Sequence, residues 1–386
     1  MKNFKKLVSL GLVVSMMAAM TACGNASEGD DVYKIGGIGP ITGAAAVYGQ
    51  AVKNATQIAV DEINEAGGIN GMQVELNFQD DEHNQEKSVN AYNTLKDWGM
   101  DLVYGPVTSD PAIAVSSEAA NDDYFMLTQS ASSPLVIKDK TNVYQVCFTD
   151  DNQGMASAKS IGENALATKV AVIYDNSISY SSGIYTKFME EAANQPFEVV
   201  VDAPFTADTA TDFSVQLQQA KDAGAELVFL PIYYQEATLI LSQAKNIDYN
   251  PIFFGCDGLD GILSVENFDT SLAEGVVLLT PFVADATDDK TVAFVQKYQE
   301  LYEEVPNQFA ANAYDGMYIL KEAIESAGIT PDMPVKEINE KLIAAMQDVS
   351  FDGLTGEAMT WEATGEVSKA PKTMVIKDGV YVSYGK

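Results

Sequence analysis

Three short loops in this sequence combine hydroxyl side chains with glycine or proline, and each loop follows a run of apolar residues. The loops span residues 39–43, residues 105–111, which include Ser109, and residues 128–134, which include Ser130, Ala131 and Ser132. Hydroxyl groups and the free N–H groups at a helix start bind anions such as a carboxylate. Each loop alone is equally well an ordinary turn or a helix cap, with Ser109 and Asp110 as candidate caps. Three such loops at one edge of a sheet predict a site for an anionic group.

Groups of complementary chemistry follow apolar runs further along the chain. Asp257 lies between glycines after one run, and Tyr180 and Tyr233 follow two others. A carboxylate at the carboxyl end of a strand can meet an ammonium group, although Asp is also a common turn residue and helix cap. We favour the interpretation that Asp257 binds an ammonium group. The sequence therefore predicts a ligand that carries both a carboxylate and an amine.

The basic residues limit how the anionic group is held. All 23 are lysines, so a carboxylate must be held by hydroxyls, backbone N–H groups or lysine instead of an arginine fork. The formal net charge of −32 argues against nucleic acid or anionic lipid as a partner.

Sequence signals for catalysis are weak. His83 is the single histidine, and no serine or cysteine lies in a nucleophile-elbow pattern. The glycines of residues 37–43 miss the dinucleotide-binding spacing by one residue. Asp80, Asp81, Glu82 and His83 are consecutive and cannot all point at one metal ion, which favours a solvated loop. We predict a protein that is not an enzyme and uses no cofactor or metal.

The elements that position these groups alternate between strands and helices. Apolar runs predict strands at residues 33–38, 73–78, 102–104 and 125–127, with helices at 50–66, 85–98 and 111–121. The alternation restarts with strands at 170–174, 198–201, 227–230, 252–254 and 276–279, with helices near 185, 213–223 and 237–246. Three helices at 291–304, 310–327 and 335–346 and a β-rich tail at 354–384 follow. This pattern predicts an α/β protein with two Rossmann-like lobes built on parallel sheets.

The N-terminal residues have the features of an export signal. Three lysines precede an apolar run over residues 7–22 that is too short and too interrupted to span a bilayer well. Residues 20–24 resemble a bacterial lipobox, which predicts cleavage before Cys23 and lipidation of its thiol. The alternative is a plain secreted protein. We predict a signal peptide at residues 1–22 and a flexible tether at residues 23–31.

Two further cysteines, Cys147 and Cys256, lie in the body of the chain. The sequence does not decide whether they form a disulfide. We favour two buried free thiols, because a body of about 355 residues has enough core without a covalent link.

One family of proteins shares the opening motifs of this chain, which are Gly39-Pro40, Thr42-Gly43, Tyr48-Gly49, residues 59–64, residues 67–71 and Asp80-Asp81. The chain resembles the leucine/isoleucine/valine-binding family of type I periplasmic binding proteins over nearly all of its length after the signal. The resemblance implies a Venus-flytrap fold, in which two lobes close on a ligand. It implies that Ser109, Ser130, Ala131 and Ser132 hold the α-carboxylate and amine, that Tyr180, Tyr233 and Asp257 contact the ligand from the second lobe, and that Tyr48 and Phe309 lie near its side chain.

The resemblance also implies a three-stranded hinge between the lobes, with crossings near Thr149, Leu279 and Ser350. The first lobe then comprises residues 32–149 and 280–350, and the second lobe comprises residues 150–279 and 351–386. Some relatives carry a disulfide in the first lobe. His83 and Thr108 stand at those positions, so that disulfide is absent here.

The implied function is that of a monomeric, lipid-anchored, extracytoplasmic substrate-binding protein of an ABC importer. It binds a small amino acid, with branched-chain or aliphatic side chains favoured, and delivers it to a membrane permease and its ATPase subunits. Two alternatives stay open: an amide, urea or aromatic acid as the ligand, or a sensory module on the same scaffold.

Overall fold

The computed structural model describes residues 32–384, and two open sheets form their framework. The first sheet contains β1 (Val32–Gly39), β2 (Gln73–Asp80), β3 (Leu102–Tyr104), β4 (Met126–Thr128) and β5 (Val143–Gln145). Its strands are all parallel and stand in the order β2-β1-β3-β4-β5. The order reverses direction between β1 and β3, and this is where open α/β sheets bind ligands.

Helices α1 (Ala46–Glu65), α2 (Gln85–Trp98) and α3 (Ser109–Asn121) connect the strands of the first sheet. Helix α1 buries an apolar stripe that includes Ala55, Ile58 and Ile63, as its helical spacing predicts. Helix α3 begins earlier than expected. Its N-cap is Thr108, so Ser109 and Asp110 lie in its first turn and are not caps.

The second sheet contains both parallel and antiparallel strands. Its members are β6 (Lys169–Asp175), β7 (Glu198–Phe205), β8 (Leu227–Leu230), β9 (Ile252–Gly255), β10 (Val277–Thr280), β11 (Lys372–Lys377) and β12 (Val380–Ser383), in the order β12-β11-β10-β9-β8-β6-β7. Strands β6 to β10 are parallel, and β11 and β12 add antiparallel strands at one edge. Its helices are α4 (Asp150–Glu163), α5 (Ser179–Ala192), α6 (Ser214–Asp222) and α7 (Tyr234–Asn246).

After β10 the chain returns to the first sheet through α8 (Asp289–Tyr302), α9 (Gln308–Ala327) and α10 (Val335–Met346). Helix α9 packs along α1. Met317 and Leu320 of α9 and Leu342 of α10 are buried in the same core as Tyr33 and Ile35 of β1.

The last crossing between the sheets comes later than the expected position near residue 350. Met359, Trp361 and Val367 are buried in the core of the first sheet, and the Trp361 indole donates a hydrogen bond of 2.8 Å to the Gln145 carbonyl. The chain joins the second sheet only at β11. The predicted β-rich tail at residues 354–384 is confirmed at its end by β11 and β12. Residues 354–371 contain isolated bridges, such as Trp361 with Val367, instead of strands.

Cys147 and Cys256 are both buried and carry free thiols. Among residues 32–384, no helix is both long and apolar enough to cross a bilayer.

Candidate functional site

A small cavity lies between the two sheets, where the loops after their strands face each other. Its walls are Tyr48, Val107, Thr108, Ser109, Ser130, Ser132, Tyr180, Tyr233, Asp257, Gly258 and Phe309. These include every sequence-predicted ligand contact except Ala131. A larger hollow, lined in part by Lys290 and Lys372, brings none of the predicted contacts together, so we assign the site to the smaller cavity.

Ala131 faces away from the cavity. Its N–H donates to the Thr128 hydroxyl at 3.1 Å, and its carbonyl accepts from the Gln145 side chain at 2.6 Å. Its methyl group packs in the core beside Val136. Both backbone groups are therefore occupied in shaping the loop, and the flanking Ser130 and Ser132 line the cavity instead.

One wall of the cavity is lined by hydroxyl groups. The Ser109 hydroxyl accepts a hydrogen bond of 3.2 Å from the Ser133 N–H, which leaves its own proton to donate toward the cavity. The Ser130 hydroxyl donates to the Val107 carbonyl at 2.7 Å and joins the two loops. Ser109 also begins α3, where the first N–H groups have no partner within the helix. This wall is suited to an anion.

Asp80 organises the loop after β1. Its carboxylate accepts from the Thr42 hydroxyl at 2.6 Å and from the Ile41 N–H at 2.9 Å. In the described part of the chain, no group of three or more His, Cys, Asp or Glu side chains is arranged to hold a metal ion.

Asp257 stands on the opposite wall, on a short turn directly after β9. The Tyr180 hydroxyl donates to its carboxylate at 2.7 Å, and the Asp257 N–H donates to the Gln153 side chain at 3.0 Å. Burial raises the pKa of Asp257 to about 7, against the lowering effect of the bond from Tyr180. A carboxylate has about four acceptor positions, so Asp257 retains capacity for a ligand donor.

A second buried acid, Asp150, lies behind Ser132 at the start of α4 and was not predicted. Burial raises its pKa well above the usual range; the Ser132 hydroxyl lowers it in part, and nearby Asp257 adds to the rise. A neutral Asp150 adds no second negative charge to this region. Its position in the sequence, in an Asp-Asp pair before a polar helix, gave no sign of this burial.

Aromatic rings close the remaining sides of the cavity. Tyr48 and Phe309 lie with their ring centres 4.3 Å apart, and Tyr180 stacks on Tyr233 at 4.7 Å. The Tyr48 hydroxyl donates to the Gly258 carbonyl and accepts from the Tyr234 N–H at 3.1 Å. Tyr48 belongs to α1 beside the first sheet, so these bonds join the two halves of the molecule.

Val107, Thr108 and Gly258 line the cavity but were absent from the predicted contacts. Each adjoins a predicted residue, Ser109 or Asp257, and the two loops in which they lie were already singled out. The sequence therefore indicated the loops in which they lie but not the individual residues.

A family model described as periplasmic binding protein matches residues 32–379. This chain belongs to the periplasmic binding protein family. Its two α/β halves are the two lobes of the type I fold in that family, and the family places it on the extracytoplasmic side of the membrane.

Similar periplasmic binding proteins have known names or bound ligands. The chain is 35% identical to the Leu/Ile/Val-binding protein BraC3 of Rhizobium johnstonii, over 86% of this chain and 88% of that protein. It is similar to the structure of the substrate-binding protein LivJ of Streptococcus pneumoniae in complex with isoleucine, with a TM-score of 0.83, 28% identity and coverage of 91% and 98%. The leucine-binding protein LivK of Thermotoga maritima gives a TM-score of 0.81 and 26% identity, with coverage of 92% and 98%.

Proposed function

We propose that this protein is the substrate-binding component of an ABC importer and that it binds an aliphatic amino acid between its lobes. One observation carries the proposal: a hydroxyl-lined helix start and a buried carboxylate stand on opposite walls of one cavity. The names of the similar proteins, which bind leucine, isoleucine or valine, support the same ligand class.

The ligand is oriented by its two charges. The hydroxyls of Ser109 and Ser132 and the N–H groups at the start of α3 receive the carboxylate, since no arginine exists to do so. Asp257 receives the ammonium and loses its proton in doing so. An aromatic acid, an amide or urea lacks this ammonium and would leave the Asp257 carboxylate without an opposite charge.

The side chain of the ligand points toward apolar groups. Val107, Tyr48 and Phe309 contribute aliphatic and aromatic surface to the cavity wall. This surface suits an aliphatic side chain, because burying apolar area is favourable and leaves no polar group unpaired.

The two lobes close about a three-stranded hinge. We assign residues 32–149 and 281–367 to the first lobe and residues 150–280 and 372–384 to the second, with short connecting segments between them. The assignment is supported by the two sheets and by the core that joins Trp361 to the first of them.

The N-terminal segment attaches the protein to the membrane surface. The proposed signal peptide at residues 1–22, the lipidated Cys23 and the tether at residues 23–31 lie outside the described residues. A lipid anchor raises the local concentration of the binding protein near its partners, which we propose are a permease and its ATPase subunits, with the protein acting as a monomer.

Calorimetry with a panel of amino acids tests the proposal. We expect leucine, isoleucine or valine to bind and Asp257→Asn to weaken binding about 100-fold or more, because removing one partner of a buried charge pair costs about 3–5 kcal/mol. Asp269→Asn, at an exposed position in the same lobe, is the matched control and should bind normally.

A deaminated ligand separates the role of the charge from general damage. 4-Methylpentanoate is leucine without its amine, and Asp257→Asn should bind it at least as well as the wild-type protein does. Equal affinity of both proteins for leucine would remove Asp257 from the site.

A further inference from the structure

We propose that His83 is a positioning residue that joins the loop presenting Ser109 to Tyr233 of the opposite lobe, so that its neutral imidazole helps to hold the ligand-binding cleft closed. The inference rests on the proposed function, because it concerns how the bound amino acid is retained. His83 does not line the cavity and contacts no ligand group itself.

The backbone around His83 is held in a defined turn after β2. His83 has a positive φ of 57°, and its N–H donates to the Asp81 carboxylate at 2.9 Å. Asp81 is fully buried and also accepts from the Ser88 hydroxyl at 3.2 Å. A turn fixed in this way gives the imidazole a defined direction.

The imidazole contacts the anion-binding wall on one side. Its Nδ1 lies 2.8 Å from the Thr108 hydroxyl oxygen. Thr108 is the N-cap of α3 and directly precedes Ser109, whose hydroxyl faces the cavity. His83 therefore supports the residue at which the α-carboxylate site begins.

The other side of the ring reaches across the cleft. The His83 and Tyr233 ring centres are 5.5 Å apart with an edge-to-face angle of 80°. Tyr233 stacks on Tyr180, which donates to Asp257. A continuous series of contacts thus runs from Thr108 through His83 and the two tyrosines to the proposed ammonium site.

The charges around His83 decide which form of the ring fits. Burial lowers the pKa of His83, while Asp110 on α3 and Asp175 at the end of β6 act in the opposite direction. Asp81, in the same turn, accepts the backbone N–H of His83. Glu236 on α7, whose pKa burial raises to about 7, lies near Asp175. The neutral ring is the form that the closed cleft favours.

The pH dependence follows from the sign of this shift. Closing lowers the pKa of the imidazole below its ordinary value of about 6.5, so closure is fully supported above that pH and weakens as the pH falls. Asp81 and Asp257 titrate in a similar range, with pKa values raised by burial to about 6 and about 7. A readout specific for the imidazole is therefore needed.

The single histidine supplies that readout, because untagged protein gives one imidazole signal in NMR spectra. We expect the measured pKa of His83 to be lower with saturating leucine than without it. His83→Gln, which can still bond to Thr108 but neither titrates nor presents an aromatic ring, should dissociate leucine about 3–10-fold faster in stopped-flow measurements. It should also make the dependence of affinity on pH between 5 and 7 shallower without abolishing it, because Asp257 still titrates in this range. Glu82→Gln, which alters the exposed neighbouring side chain, is the matched control.

Two failures are distinguishable. If the wild-type protein binds no amino acid, the proposed function falls and this inference falls with it. If leucine binds but the imidazole pKa is the same in both states, or His83→Gln releases leucine at the wild-type rate, only the role of His83 is overturned.

Discussion

At the scale of single residues, burial and a bound ammonium group have opposite effects on the ionisation of Asp257. Burial favours its protonated form and raises its pKa to about 7, whereas an ammonium ligand favours the ionised form. In the ligand-free protein this shift makes the contribution of Asp257 to folding stability decline as the pH rises from about 4 to about 7. For ligand binding the pH dependence has the opposite sign, because an ammonium ligand binds to the ionised carboxylate of Asp257.

We therefore expect amino acid affinity to be full above about pH 7 and to fall as the pH drops below it, by up to tenfold per pH unit. Calorimetry between pH 5.5 and 8, in buffers of different ionisation enthalpy, should show proton release on binding below pH 7. Asp257→Asn should lose the share of this proton release that comes from the carboxylate. An affinity that stays constant over the whole range would contradict the assignment.

At the scale of elements, α4 shows why some of the fold was not predicted. The buried residues of α4 include Gln153, Gly154 and Ser157, so the helix lacks the apolar stripe that identifies α1. A Cβ at Gly154 would lie 2.5 Å from the Ile184 carbonyl oxygen. Close backbone packing replaces hydrophobic side chains between these two helices.

Gly154→Ala should consequently destabilise the protein by about 1–3 kcal/mol through overpacking, which thermal unfolding would report as a lower Tm. Lys159→Ala, at an exposed position of the same helix, should leave Tm nearly unchanged. If Gly154→Ala unfolds at the wild-type temperature, the helices are not packed as closely as described.

Other elements were predictable because their signals are local. Strands such as β3 and β8 are short apolar runs, and their observed bounds match the prediction. The binding loops were predictable because they follow such strands. Long-range packing decided the rest. The orientation of Ala131 depends on the Thr128 and Gln145 side chains, and the burial of Asp150 depends on its packing against Gly183 of α5.

At the scale of the whole molecule, hydrogen bonds between the lobes surround the cavity. Tyr48 bonds to Gly258 and Tyr234, and the Ser179 N–H at the start of α5 donates to Asp110 of α3 at 3.3 Å. These bonds exist only while the lobes are together, so they contribute to closure and to ligand retention but not to the stability of either lobe alone.

Tyr48→Phe removes both bonds of that hydroxyl and leaves their partners unsatisfied on closure. We expect leucine to dissociate about 5–100-fold faster in stopped-flow experiments. Tyr249→Phe is the control, because the Tyr249 hydroxyl donates to the Ala225 carbonyl within the second lobe. It should lower Tm and leave dissociation unchanged, and a reversed pattern would argue against closure through Tyr48.

A crystal structure of the protein with leucine or isoleucine would show which groups hold the two charges of the ligand. We expect the ligand nitrogen to lie within about 3.2 Å of the Asp257 carboxylate and the ligand carboxylate to contact Ser109 and Ser132. A ligand bound outside this cavity, or with its amine directed at the serine loops, would contradict this expectation.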